Sequence, residues 1–397
     1  MASINSAARA LSAATGLAAA HVGEVVLDSS SARRMVGDAI EHANGTLFME
    51  LHGFKGARPE SAFNSFLKGT DGRVGVLAAD HVDAANLTST RGFIPGTTRT
   101  SEAAEAGLAD GRISLVHYGG DATDEATRPY QHSKLIASTA GGPDGAPTAL
   151  FNNVKLTDMG SARPDLAATL VGPTARAAID VVATSLRGSP PLMRQAIDDA
   201  RSVGLLFNDP IAGRLHLADG MQQLVANARD SIVLVSKGID DPAFATSLVE
   251  AHRRGVRVGV SVRDLARSSA KILHEGGVPV VLHPSRAPAS RVNLLMADGE
   301  TAIASTAYQW DRQLGHAADG RIPRDSGIVL QGTALGQLRY QLAGEPVARA
   351  AVQLLDSPET ATVARSTYGW GSQNPWSFPS LADVMVSGGQ RLVDKLD

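Results

Sequence analysis

Apolar positions along this chain fall into two textures whose order occurs twice. Short runs of β-branched and aliphatic residues alternate with stretches spaced three to four residues apart, as on one face of a helix. The first series predicts a helix near 31–43, a strand at 46–52, a helix near 59–68, a strand at 73–79, a helix near 101–109 and a strand at 112–117. The second predicts a helix near 217–228, a strand at 231–236, a helix near 242–254, a strand at 256–262, a helix near 265–274 and a strand at 278–283. Local sequence supports this register: Arg73-Val-Gly-Val-Leu parallels Val256-Arg-Val-Gly-Val. Alternating strands and helices predict βαβ units on parallel sheets. Each series then yields short apolar runs with no long helix between them, at 133–137 and 148–151 and at 292–296 and 301–304. Each closes with a helix, near 174–186 and 335–342. The expected architecture is α/β: two similar α/β/α sandwich lobes related by a pseudo-twofold axis. The boundaries are a lead at 1–23, a first lobe at 24–187, a connector at 188–213 marked by Pro190-Pro191 and Asp209-Pro210, a second lobe at 214–345 and an extension at 346–397.

Composition narrows the chemistry. The 397 residues carry 37 basic and 40 acidic side chains, a net charge of −3. That balance argues against a chain-wide basic surface for nucleic acid or anionic lipid. Without cysteine there is no disulfide, thiol nucleophile or Cys-based zinc site. No apolar run approaches the roughly 20 residues of a transmembrane segment. No Gly-x-Ser-x-Gly elbow, dinucleotide loop or phosphate-binding P-loop motif occurs. Residues 1–23 are rich in Ala and Ser, with no acid before Glu24. They read as a frayed lead or as a weak bacterial export signal similar to those of secreted effectors, so bacterial cytoplasm and export both stay open.

After the parallel strands of the first series stands His132-Ser133-Lys134. In an extended chain, positions i and i+2 share a face, so His132 and Lys134 project together and Ser133 opposes them. A neutral imidazole can attack phosphorus while a fixed ammonium offsets charge on the nonbridging oxygens. Here the chain resembles the phospholipase D superfamily, in which a His-x-Lys-x4-Asp motif, followed by a Gly/Ser-and-Asn segment, occurs once per lobe. The resemblance spans about 25–341 and implies a phospholipase D-like fold. It implies a nucleophilic histidine and a second histidine that protonates the leaving group, with no metal or organic cofactor. His132 and Lys134 match, Thr139 occupies the acidic position, and Asn153 is the polar support. In the second lobe Arg291 stands in the histidine position, Asn293 in the lysine position and Asp298 in that of the acid. Ser305 and Thr306 follow in the Gly/Ser segment, with Tyr308 where the family has asparagine. Arg291 stays protonated, so it suits phosphate holding rather than proton transfer. The degraded motif equally fits Arg291 ion-paired to Asp298 as a lobe stabiliser.

The resemblance implies a phosphodiesterase or phosphatidyl-type transferase acting through a phosphohistidine on His132. The alternative is an impaired pseudoenzyme binding a phosphorylated ligand or a host or partner protein. Phospholipid and other phosphodiesters remain open as ligands. His283 is the first candidate for a second acid/base. His52 and His117 also close predicted strands, where open α/β sheets place ligand crevices. His81 beside Asp80 lacks recognisable metal-ligand spacing, and His316 falls in a polar loop. Asp165 and Asp325 follow the two motif segments; in the family an acid in this region can orient the catalytic histidine. Trp370, Trp376 and Phe378 concentrate aromatics in the tail, suited to packing, a substrate mouth or peripheral membrane contact.

Overall fold

The computed structural model describes residues 16–51, 62–63, 65–67, 72–78, 107, 109–118, 131–153, 165–282, 292–309, 314, 322–344, 349, 351–352 and 355. Among them, two mixed sheets repeat one strand order. The first contains β1 (Val22–Val26), β2 (Leu47–Leu51), β3 (Val74–Ala78), β4 (Ile113–His117), β5 (Leu135–Ser138), β6 (Thr148–Asn152) and β7 (Ala167–Val171), ordered β1-β7-β6-β5-β2-β3-β4. The second contains β8 (Leu205–Asp209), β9 (Arg214–Leu215), β10 (Ser231–Ile239), β11 (Arg257–Leu265), β12 (Val280–Leu282), β13 (Asn293–Ala297), β14 (Thr301–Ser305) and β15 (Asp325–Gln331). Its order, β12-β11-β10-β13-β14-β15-β8-β9, is the same series with β9 added at one edge.

Only three strands in each sheet are parallel: β2-β3-β4 and β10-β11-β12. The expectation of parallel sheets therefore holds for three strands of the seven in the first sheet and three of the eight in the second. The remaining strands pair antiparallel. Between β13 and β14 the link is Asp298-Gly299-Glu300, with Asp298 and Gly299 at φ 56° and 65° and the Glu300 amide donating to the Ala297 carbonyl at 3.1 Å. An Asp-Gly pair with positive φ at both positions is the preferred tight hairpin turn.

Helices α1 (Ser29–Glu41), α2 (Gly172–Leu186), α3 (Pro190–Arg201), α4 (His216–Asn227), α5 (Pro242–Arg253), α6 (Arg267–Glu275) and α7 (Gly332–Gly344) complete the layers. Residues 188–213, expected as a connector, hold α3 and β8 and join the second lobe. Pro190 and Pro191 begin a helix, since proline at the first turn gives up no intrahelical hydrogen bond. Residues 22–26, expected partly in a loose lead, form an edge strand against β7. Trp370, Trp376 and Phe378 lie outside the described residues.

Strand alternation divides the core. Val233, Val235, Leu294 and Met296 face inward and meet Leu135, Ala137 and Phe151 of the first sheet through α2, α3 and α7. Their neighbours Ile232, Leu234 and Leu295 pack outward under α4, α5 and α6, and Val74, Val76 and Ile136 pack under α1. The inner layer thus belongs to both lobes. Phe151→Ala should cost about 3–5 kcal/mol, and urea unfolding followed by fluorescence and circular dichroism should remain a single transition. Two separated transitions would show lobes that fold independently.

Candidate active site

The segment before β5 departs from the sheet, and that departure builds the site. Gln131 bridges Arg324, and the His132 and Ser133 amides do not pair with β2. Both donate to the Arg324 carbonyl of the second lobe, at 2.8 and 2.9 Å. Ser133 turns inward, its hydroxyl donating to Glu50 and lying 2.7 Å from Ser326 Oγ. His132 and Lys134 are each 7% exposed. Lys134 Nζ donates to the His132 carbonyl at 3.0 Å. The Lys134 carbonyl accepts from the backbone N–H and Nδ2 of Asn152, both at 3.2 Å.

His132 Nδ1 lies 2.7 Å from Oδ1 of Asp325, which is fully buried at the start of β15. A carboxylate only accepts, so Nδ1 carries a proton, and in the neutral imidazole Nε2 carries the lone pair. The same Oδ1 accepts from the Thr306 hydroxyl at 2.7 Å, and Thr306 Oγ1 accepts from the Ser326 amide at 3.0 Å. The orienting acid thus reaches the first lobe's histidine from the second lobe. Asp165 holds the matching position in lobe one: Asn153 donates its amide to Leu166 as Thr306 does to Ser326. Its carboxylate is fully buried and accepts from Ser29 Oγ at 3.2 Å.

Beneath His132 lies an ionic cluster that sequence reasoning missed. Arg324 is fully buried and donates to Glu50 of β2 from Nε at 3.0 Å and Nη2 at 2.5 Å. Its Nη1 donates to Asp209 of β8. Asp209 also accepts from the Tyr118 hydroxyl and the Ala212 amide, both at 2.8 Å. Burial alone would lower the Arg324 guanidinium, but the two carboxylates raise it above its usual value. Burial, and then Asp209, push the Tyr118 phenol well above its usual value. The partners lie 274 and 115 positions away, so no local motif marks them.

Other expected site residues are placed differently. Asn293 stands at the position topologically equivalent to Lys134, but its Oδ1 accepts from the Lys237 amide at 3.3 Å and lies 3.4 Å from Ser236 Oγ. Ser305, fully buried, donates to the Ala307 carbonyl at 2.9 Å and shapes the turn that carries Thr306. Asp298 is not brought to His132 and is not a phosphate support. It lies at the far end of β13, five residues or roughly 16 Å beyond Asn293. Its carboxylate accepts from the amides of Arg229, Asp230 and Ser231. The Asp-Gly turn, not the phosphate site, accounts for that acid. His117 ends β4, three strands from β5. Arg291, His283, His52, His81 and His316 lie outside the described residues. Tyr308, half-buried, sets its ring 5.7 Å from that of His132. Among the described residues no three His, Asp or Glu side chains cluster as metal ligands, and no helix is long and apolar enough to cross a membrane.

No protein-family model and no curated protein sequence matches this chain. Solved structures do match. A phosphatidylserine synthase from Haemophilus influenzae superposes with a TM-score of 0.56 at 11% identity, over 87% of this chain and 90% of the other. The chain has the phospholipase D-like fold. A polyphosphate kinase from Porphyromonas gingivalis matches with a TM-score of 0.51 at 13% identity, over 82% of this chain and 45% of the other. A mutant of yeast tyrosyl-DNA phosphodiesterase gives 0.50 at 11% identity, over 78% and 89%.

Removing the Arg324 charge leaves Glu50 and Asp209 buried and uncompensated. Arg324→Met should therefore cost about 3–5 kcal/mol in urea denaturation. The triple variant Arg324→Met, Glu50→Gln, Asp209→Asn should recover much of that loss, because it removes the stranded charges. A triple variant no more stable than the single one would assign the loss to packing instead.

Proposed function

We propose that this protein is a phosphodiesterase or phosphatidyl-type transferase that acts through a phosphohistidine on His132. The observation that carries this reading is the 2.7 Å contact between His132 Nδ1 and the buried Asp325 carboxylate. It orients the imidazole, fixes its tautomer and offsets the positive charge that develops as Nε2 attacks phosphorus. Lys134 clamps the phosphoryl oxygens. The three similar structures are those of a phosphatidylserine synthase, a polyphosphate kinase and a tyrosyl-DNA phosphodiesterase, all named for phosphoryl chemistry. The first favours a phospholipid-type diester, and the balanced net charge disfavours long nucleic acid.

A second reading is a scaffold that binds a phosphorylated ligand or partner protein without turnover. It draws on Asn293, whose amide bonds within its own lobe and supplies no charge.

Screening phosphate diesters against the wild type and His132→Ala, with binding measured on the same ligands, separates the two. The enzyme reading expects turnover that disappears in His132→Ala, that falls about 100- to 1,000-fold in Lys134→Met, and that falls about 10,000-fold in Asp325→Asn, which stabilises the wrong tautomer. Binding without turnover would favour the scaffold. Turnover unchanged in folded His132→Ala would overturn the phosphohistidine.

A further inference from the structure

We infer that Tyr308 and Lys237 supply the second half of this site: the phenol protonates the leaving group, and the ammonium holds the phenolate that remains. The inference rests on the function proposed above and concerns the step that a lobe without a second motif histidine leaves unserved.

The local backbone presents this pair to the site. Tyr308 follows β14, two residues beyond the Thr306 that holds Asp325. Its neighbours Ala307 and Gln309 are fully buried, while Tyr308 is half-buried, so alternation turns its ring out of the core toward His132. Gln309 forms a parallel bridge with Ile239, and its carbonyl accepts from the amides of Asp240 and Asp241 at 3.1 and 3.4 Å. This ties residues 307–309 to the end of β10, where Lys237 is likewise half-buried between buried Ser236 and Gly238. Lys237 Nζ sits 4.7 Å from the centre of the Tyr308 ring. The Lys237 amide donates to Asn293, so the residue in the motif-lysine position helps to place another lysine. Lys134 from one lobe and Lys237 from the other thus flank the His132–Tyr308 pair.

The proton count closes. His132 Nε2 forms the bond to phosphorus as the bond to the leaving oxygen breaks, and that oxygen takes the Tyr308 proton. The Nδ1 proton stays between His132 and Asp325. The Lys237 ammonium over the ring offsets the phenolate charge. In the second step water attacks phosphorus and gives its proton to the phenolate. The phosphorus–nitrogen electron pair returns to the imidazole, and all groups regain their starting states.

Two probes that differ in their need for an acid test this. The alcohol leaving short-chain dihexanoylphosphatidylcholine must be protonated, whereas p-nitrophenolate leaving bis(p-nitrophenyl) phosphate need not be. Tyr308→Phe should lose about 100- to 10,000-fold on phosphatidylcholine. On the activated diester it should release one equivalent of p-nitrophenolate per protein in a burst and then stall, with a p-nitrophenyl phosphoryl adduct on His132 in the intact mass. Lys237→Met, which keeps the phenol, should move the pH profile of steady turnover upward. Equal losses on both probes without a burst, or wild-type rates on both, would overturn the role of Tyr308 while leaving that of His132 intact. A wild type without His132-dependent turnover of either probe would overturn the proposed function, and this assignment with it.

Discussion

Arg324 joins the lobes in two ways, and the geometry of the candidate nucleophile depends on both. Its carbonyl accepts the amides of His132 and Ser133, drawing that segment out of the first sheet. Its guanidinium is neutralised by Glu50 of the first lobe and Asp209 of the second. Burying a cation is unfavourable unless it is paired and hydrogen-bonded, so the cluster tolerates little displacement. The next residue, Asp325, inherits this precision and delivers its carboxylate to His132. One dipeptide of lobe two therefore sets the position of the lobe-one imidazole through its main chain and its tautomer through a side chain.

This arrangement gives the duplication a chemical consequence. Each lobe contains an acid after its Gly/Ser-type segment, Asp165 in one and Asp325 in the other, and β15 hands the second across the junction. The second lobe thus contributes to the surroundings of His132. Asp325, Thr306, Ser326 and the Arg324 carbonyl all come from the second lobe. The second lobe has Asn293 where the first has Lys134, and it still supplies the frame that holds the other lobe's histidine.

Periodicity made much of the fold legible. The βαβ half of the second lobe, the short apolar runs and the closing helices α2 and α7 all carry strong local patterns, while the helices expected near 59–68 and 101–109 lie largely outside the described residues. What escaped was long-range or disguised. Pro190-Pro191 resembles a linker until the following Met193, Ala196, Ile197 and Ala200 are seen as one buried helical face. β1 hides beside an Ala/Ser-rich lead because an edge strand needs only one partner, here β7. Among site residues, His132 and Lys134 stood out in the sequence as a His-x-Lys pair after the parallel strands. The acid expected after each motif was likewise visible, although its reach across the lobes depends on sheet order. Glu50, Asp209 and Arg324 were invisible because their meaning lies in pairing over hundreds of residues. Asp298 misled for the opposite reason: an acid at motif spacing also fits the Asp-Gly turn it forms.

The central claim is that Asp325 holds Nδ1 and commits Nε2 of His132 to phosphorus. A single-turnover reaction with an activated phosphate diester, quenched in alkali and read by tandem mass spectrometry and phosphorus NMR, tests it directly. The account predicts a phosphoryl group on His132 attached through Nε2, absent from His132→Ala. Attachment through Nδ1, or turnover with His132 unmodified and its loss tolerated, would contradict it.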